Sequence, residues 1–226
     1  MNYDWNFTRV WPYWTAFLSG TGTTLILTLT VIVIGTILGV ATGLLLRRQS
    51  ARLFIYPIVD VIRALPPLVL ILFLYFLLTE QVIGSAVSAF WVYSVAMSLN
   101  LAAFTSDLVR AAIENVPTGA VDAGFALGMS NNQVTRHIVM PHVVREVIPA
   151  MTVLYIGMLK MSSLASVINV QEVVYSAQTV IAANSRSLEA WTIVAVIYIV
   201  LVLPATYISR RIEFWFRRGT VSRRTL

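Results

Sequence analysis

The chain has 226 residues, 58% of them hydrophobic and 12% charged, with a mean hydropathy of +0.80 and a formal net charge of +6. Runs of about 20 apolar residues mark bilayer-spanning helices, so this composition excludes a soluble domain and describes one membrane domain of a few spans. The basic residues sit beside the apolar runs, so membrane topology accounts for the charge better than nucleic-acid binding does.

Residues 1–20 carry Asp4 and Arg9 among scattered aromatics, and the apolar run that follows is too long for a signal-peptide core. The first span is therefore expected to remain as a membrane anchor, with residues 1–20 as an external segment. Trp5, Trp11, Tyr13 and Trp14 before it, and Trp215 after the last span, read as an interfacial aromatic belt. Hydropathy predicts five spans, at about 21–46, 54–78, 82–109, 148–168 and 191–208. Lys160 and several serines interrupt the fourth, which leaves a four-span alternative open.

Gly35, Gly39 and Gly43 recur every fourth residue in the first span and offer a smooth face for close helix packing. Pro66 and Pro67 are expected to kink or break the second span, with Arg63 as a topological anchor and backbone cap. In the third span Asn100, Asp107 and Glu114 are spaced by seven and share nearly one face. They form a stripe of roughly 20 Å. Asp107 and Glu114 read as a structural network with Arg110, at i+3 and i+4 spacing. Asn100 is deeper and uncharged.

Asn115-Val116-Pro117-Thr118-Gly119 should end the third span. A short helix is expected from Ala120 to Leu127, with Asp122 in its first turn near the helix dipole. Gly128 fits the left-handed position that closes a helix, and Pro141 marks the next helical section. Only two histidines are present, His137 and His142, both in this loop, and there is no cysteine. No disulfide, thiol catalysis or buried metal cluster follows from that inventory.

In the fourth span, Lys160 places an ammonium near mid-bilayer, which costs about 3 kcal/mol on insertion scales unless it reaches water or a partner. It either attracts a carboxylate of a bound molecule or pairs with Asp107 or backbone carbonyls. Ser162, Ser163 and Ser166 can bond a ligand or neighbouring helices, and helix packing is the preferred reading. Residues 169–189 read as an external loop or a short interfacial helix.

Thirteen of the sixteen basic residues fall on one side of the five-span arrangement: Arg47, Arg48, Arg52, Arg63, Arg110, Arg136, Arg145, Arg210, Arg211, Arg217, Arg218, Arg223 and Arg224. Arg9 and Arg186 fall on the other side, with Lys160 inside the bilayer. The positive-inside rule then puts the N-terminus outside and the central loop and C-terminus in the cytoplasm.

Asp122-Ala123-Gly124, three residues, Gly128, nine residues and Ile138-Val139-Met140-Pro141 together resemble the E-A-A, three, G, nine, I-x-L-P signature of ABC-importer permeases. Asp stands for Glu, Gly for the second Ala and Met for Leu. Arg63-Ala64-Leu65-Pro66-Pro67, the third-span run Ser98–Phe104 with Val109–Ile113, and Leu159–Ile168 resemble further segments of the polar amino-acid uptake (histidine/glutamate/arginine-type) branch. The likeness runs from about Gly20 to Arg211.

The resemblance implies an all-α integral membrane protein of type I ABC-importer permease architecture. Residues 21–209 would be a single permease domain with a coupling loop at 115–142, and 210–226 a basic cytoplasmic tail. It implies an ATPase-coupling element at Asp122, Ala123, Gly124, Leu127, Gly128 and Pro141, and a substrate path at Asn100, Lys160, Ser162 and Ser163. The partners implied are two ATPase subunits, a second identical or homologous permease and an extracytoplasmic substrate-binding protein, in a prokaryotic inner membrane. The chain lacks G-x-x-x-x-G-K-[ST], so ATP and magnesium are expected on the ATPase, and this chain is a non-catalytic transport subunit with no cofactor of its own. Branch members commonly carry acidic groups at the positions of Leu154 and Met161, suited to an ammonium-bearing ligand; here both are apolar. That departure favours a neutral or anionic amino acid, or marks a subunit that lines the cavity passively beside a non-identical partner.

The competing reading is an ATP-independent secondary transporter or channel subunit, against which stand the absence of an inverted repeat and the docking-type loop. No H-E-x-x-H, Cys nucleophile or paired catalytic carboxylates support an intramembrane enzyme.

Overall fold

The computed structural model describes residues 3–46, 49–78 and 87–217, with the backbone alone at 217. Arg47, Arg48, Arg218, Arg223, Arg224, the Arg217 side chain and the expected start of the third span at Val82 lie outside the described residues. Among the described residues the regular structure is helical throughout. Short 3-10 turns at Phe7–Arg9 and Trp11–Tyr13 lead into α1 (Trp14–Leu45), followed by α2 (Gln49–Ala64), α3 (Pro67–Phe76), α4 (Ala89–Glu114), α5 (Thr118–Ala126) and α6 (Asn131–Val134). A π-helical stretch, Thr135–Val139, joins α6 to α7 (Met140–Met161), which tightens into a 3-10 segment at Ser162–Ile168. α8 (Val173–Asn184) and α9 (Ser187–Arg217) complete the order.

Four stretches among the described residues are long and apolar enough to cross a bilayer: Phe7–Leu45, Ala89–Glu114, Asn131–Ile168 and Ser187–Phe216. A fifth exists only if the bent pair α2 and α3 counts as one span. The second expected span, 54–78, is thus two helices rather than one. Pro66 holds an extended backbone at ψ 135, and Pro67 starts α3 at a position that needs no amide hydrogen. α1 begins seven residues before the expected Thr21, because the aromatic segment is already helical from Trp14. The expected tail is helical as far as Arg217, so α9 outruns the apolar span of 191–208.

The chain divides into two compact units. One comprises Met1–Ile34, Leu65–Ser98 and Ile156–Ala205; the other comprises Gly35–Ala64, Leu99–Tyr155 and Thr206–Leu226.

In the first unit, Val10 and Phe17 pack with Val173, Val174, Ala177 and Val180 of α8 and with Ala190 and Val194 of α9. The buried Glu189 carboxylate accepts hydrogen bonds from the Tyr3 hydroxyl and, at 2.8 Å, from the Asn6 amide. Arg186 donates to the Asp4 carbonyl at 2.8 Å and Asn184 to the Arg9 carbonyl at 3.2 Å. The N-terminal segment is thereby fastened to the turn between α8 and α9. The stretch 169–189, expected as an external loop or a short interfacial helix, is largely α8, with Glu172 at its N-terminus and Ser185 in the left-handed region (φ 58) closing it.

In the second unit the glycine stripe of α1 meets α4. A Cβ on Gly39 would lie 2.4 Å from the Thr105 Cβ and 2.8 Å from the Ala102 carbonyl oxygen. Gly35 faces Leu101 and Gly43 faces Val109 in the same way, so small residues on one helix receive every fourth residue of the other. In lipid, where hydrocarbon gives helices no reason to associate, such close van der Waals contact is a principal source of helix pairing. Thr36 of α1 shares a hydrogen bond with Tyr155 of α7 at 2.9 Å, and Thr152 of α7 another with Ser209 of α9 at 2.6 Å.

Candidate coupling loop and polar path

Pro117 shapes the start of α5. It holds an extended backbone (φ -59, ψ 120), and its carbonyl accepts the Ala120 amide at 3.0 Å. The helix therefore starts at Thr118, two residues ahead of the expected Ala120. Asp122 then falls in the second turn, where the terminal dipole is spent, and no acidic residue occupies the first.

The other end of α5 closes as the sequence predicts. Gly128 has φ +76 and nothing near its Cβ position, so its requirement is conformational. Its amide bonds the Phe125 carbonyl at 2.9 Å, and the Met129 amide bonds the Gly124 carbonyl at 3.1 Å. That pair of bonds is the Schellman closure. Ser130 immediately caps α6: its hydroxyl accepts the Gln133 amide at 3.4 Å, while the Gln133 side chain accepts the Ser130 amide at 2.8 Å. The S-x-x-Q spacing of this capping box is legible in the sequence.

Two parts of the signature touch. Gly124 is buried, and a Cβ there would lie 2.6 Å from Ile138 Cδ1 and 3.2 Å from Val134 Cγ2. The glycine at the signature's second alanine position thus matches the bulk of Ile138 across the turn. The π-helical stretch ends just before Pro141, whose ring would crowd the carbonyl four residues back in a regular α-helix; a wider turn relieves it. Beneath α5, Val116, Val143, Val147 and Met151 form a core against which Val121 and Val139 pack. Asn115 donates to Glu146 at 2.8 Å, with His142 3.6 Å from the same carboxylate, so the base of the hairpin is cross-linked. Asp122, Ala123 and Pro141 are exposed, as are Phe125 (45%) and Leu127 (83%). The hairpin presents two large apolar side chains on a rigid frame.

The acidic stripe of α4 is ion-paired. Arg110 donates to Asp107 and to Glu114, each at 2.7 Å, as the i+3 and i+4 spacings predict. The network extends further than that spacing shows. Arg63 reaches Asp107 at 3.3 Å and Asp60 at 3.7 Å and stacks on Phe104, so it is more than an anchor and backbone cap. Arg52 lies 3.8 Å from Glu114.

The expected path residues divide. Asn100 is buried (2% exposed) within the second unit. Lys160 and Ser163 line a cavity of about 370 Å³ together with Tyr198, Ile199, Val202 and Leu203. Lys160 also sits in the last turn of α7, where an ammonium suits the negative end of the helix. Ser162 is buried; it donates to the Leu159 carbonyl at 2.7 Å and shares a 3.2 Å contact with the Tyr198 hydroxyl. Ser163 donates to the Lys160 carbonyl at 3.0 Å and Ser166 to the Ser163 carbonyl at 2.8 Å. Each hydroxyl takes a carbonyl three residues back, matching the tightening to 3-10 geometry after Met161. Leu154 packs against the hairpin core and Met161 is half-buried.

Two polar residues escaped the sequence argument. Tyr198 was one aromatic among many in an apolar run. Glu172 is fully buried at the start of α8, where it accepts the Tyr175 amide at 2.9 Å and faces the Thr24 hydroxyl at 3.5 Å. Burial pushes its carboxyl up to about 7 despite these hydrogen bonds. Glu172 caps α8 in a place that Ser, Thr, Asp or Asn fills far more often, so its residue type announces no cap in the sequence.

Residues 32–218 match the family described as the inner membrane component of binding-protein-dependent transport systems. Glutamine transport system permease protein GlnP of Escherichia coli is 30% identical over 219 residues, covering 94% of this chain and 97% of that protein. Arginine transport system permease protein ArtQ of Bacillus subtilis is 32% identical over 196 residues, covering 84% and 89%. Among solved structures, a crystal structure of an amino acid ABC transporter with histidines superposes with a TM-score of 0.86 at 29% identity, covering 94% of this chain and 99% of that one. The MetNI methionine ABC transporter, at 20% identity and a TM-score of 0.73, shares the fold. This chain therefore belongs to the multi-pass inner membrane components of binding-protein-dependent transport systems, the permease subunits of ABC importers.

Proposed function

We propose that this permease imports a polar amino acid or amino-acid-like zwitterion, neutral or anionic in its side chain, by alternating access driven from outside the chain. The observation that carries the substrate class is the cavity at the end of α7. Among the described residues lining it, Lys160 is the one charged side chain, beside the Ser163 and Tyr198 hydroxyls and three aliphatic residues. An ammonium there can hold a carboxylate, and no acid among those residues awaits a cationic side chain. The names of the relatives, glutamine and arginine permeases, support an amino acid and leave its side chain to be tested.

In this reading Phe125 and Leu127, with Asp122, Ala123 and the frame set by Gly124, Gly128 and Pro141, dock in a cleft of a separate ATPase subunit. Two ATPases carry ATP and magnesium; two permeases, identical or homologous, enclose the path; a binding protein delivers substrate outside. The arginine asymmetry supports an external N-terminus and a cytoplasmic hairpin. Ser162 belongs to the path as polar packing beside Tyr198.

Reconstitution with the ATPase and binding protein in vesicles tests this, using labelled neutral, acidic and basic amino acids. ATP-dependent uptake of a neutral or acidic amino acid is expected. Preference for a basic one would overturn the substrate class, and uptake that persists without the ATPase would overturn the coupling.

A further inference from the structure

A second cavity, of about 580 Å³, lies where the C-terminal end of α1, the first turn of α2 and the last turns of α4 meet, lined by Leu46, Gln49, Arg52, Arg110, Ile113 and Glu114. We propose that it holds the headgroup of an anionic phospholipid, with Arg52 as the phosphate's principal partner.

Among the described residues two guanidinium groups and one carboxylate line the cavity, and Asp107 outside the lining takes up Arg110, so what a phosphodiester meets is the loosely paired charge of Arg52. The two arginines differ in freedom. Both lie over the Tyr56 ring, Arg110 at 5.3 Å and Arg52 at 5.8 Å, but Arg110 is committed: one terminal nitrogen bonds Glu114 and the other bonds Asp107, both at 2.7 Å. Arg52 is half-exposed, and its 3.8 Å approach to Glu114 is longer than a hydrogen bond. Exchanging so loose a pair for a phosphate costs little, and Glu114 keeps Arg110 when it happens. Arg52 and Gln49 stand in the first turn of α2, which carries no acidic residue, so the positive end of that helix adds to their field.

The surroundings favour a lipid over a free anion. Leu44 and Leu45 at the end of α1, and Leu53 and Phe54 in the first turns of α2, expose between 42% and 73% of their surface. A cationic cavity beside apolar side chains at the end of a membrane helix matches a phosphodiester attached to acyl chains. This proposal rests on the membrane location of the chain and is independent of the cargo.

The test uses the purified permease–ATPase complex in detergent, with dioctanoyl phosphatidylglycerol, dioctanoyl phosphatidylcholine and inorganic phosphate as probes. Thermal stabilisation against probe concentration gives each affinity, and native mass spectrometry counts retained lipid. Phosphatidylglycerol should bind more tightly than phosphatidylcholine. Arg52→Gln should weaken it about fivefold, equivalent to ~1 kcal/mol per basic residue at an anionic leaflet. Gln49→Glu, which adds a carboxylate at the rim without removing an ion pair, should weaken it in the same direction. Equal binding of the two lipids, phosphatidylglycerol affinity unchanged in both variants, or equal stabilisation by inorganic phosphate would overturn the assignment.

Discussion

Gly124 of α5 and Ile138 of the π-helical stretch fit against each other so closely that a Cβ on the glycine would stand 2.6 Å from Ile138 Cδ1. The first obstacle is the tip of a flexible side chain, so Gly124→Ala should fold and transport. The same Cβ lies 3.2 Å from Val134 Cγ2, so the two further methyls of Gly124→Val overpack the turn, which costs about 1–3 kcal/mol. Uptake per ATP hydrolysed should fall in Gly124→Val and recover in part in Gly124→Val with Ile138→Ala. A double variant no better than the single one would show that the two residues do not fix the hairpin.

Gly128 fails differently on substitution. At φ +76 with open space around it, Gly128→Val meets no neighbour but forces a β-branched residue into the left-handed region, which costs about 1–2 kcal/mol or more. The cost can be relieved by abandoning the closing turn, which would displace Leu127. The expected outcome is ATP hydrolysis uncoupled from transport, or loss of the ATPase on purification. Gly128→Asn should retain more coupling than Gly128→Val, because Asn tolerates that region. Normal coupled uptake in Gly128→Val would contradict the docking role of the hairpin.

The glycine stripe of α1 predicts a stability effect away from the loop. Gly39→Leu would push α1 off α4, since the nearest obstacles are the Thr105 Cβ and the Ala102 backbone, neither of which can rotate away. Gly22→Leu, whose Cβ position has nothing within 4 Å, is the control. Thermal unfolding in detergent should drop strongly for the first and little for the second. Equal behaviour would mean that close approach of α1 and α4 contributes nothing.

The sequence yields some of these features and hides others for physical reasons. Gly128, Pro117 and Pro141 act on the local backbone, so their positions alone announce a short helix with firm ends. Gly35, Gly39 and Gly43 are legible because a period of four names a helix face. Asp107, Arg110 and Glu114 are legible because helix spacing brings them together, whereas Arg63 and Arg52 join them from another helix, and no local period reports that. Pro66 and Pro67 announce a break, yet hydropathy averages over it and still draws one span. Glu172 and Tyr198 are missed because burial is a tertiary property. In an apolar chain a tyrosine or a lone acid looks the same whether it faces lipid, water or a core.

Lys160 stands at the end of α7 and in a cavity, and its two roles predict different measurements. If it serves only the helix terminus, Lys160→Met should lower stability by up to about 1 kcal/mol and leave transport kinetics unchanged. If it holds a carboxylate, loss of a charge-assisted hydrogen bond worth about 1.5–3 kcal/mol should raise the KM for uptake about tenfold or more, with assembly intact. The second outcome is expected, with partial rescue by Lys160→Arg. Unchanged kinetics would return Lys160 to the structural role.

Glu172 predicts a pH dependence whose sign follows from its burial. Its carboxyl is raised from an ordinary 4.5 to about 7 in the folded protein, so between those values the folded state holds a proton that the unfolded state has released. Its contribution to stability is complete below about 4.5 and lost as pH rises through about 7. Protonated Glu172 still accepts the Tyr175 amide, and Gln at this position keeps that acceptor without a titrating charge. Unfolding of wild type and Glu172→Gln should therefore converge at low pH, with the variant gaining relative stability as pH rises toward neutrality. Thermal melts of the two proteins at half-unit steps from pH 4.5 to 7.5 measure the difference directly. Parallel curves would mean that the Glu172 carboxyl is solvated or charged throughout, and that its place at the N-terminus of α8 is held by hydrogen bonding alone.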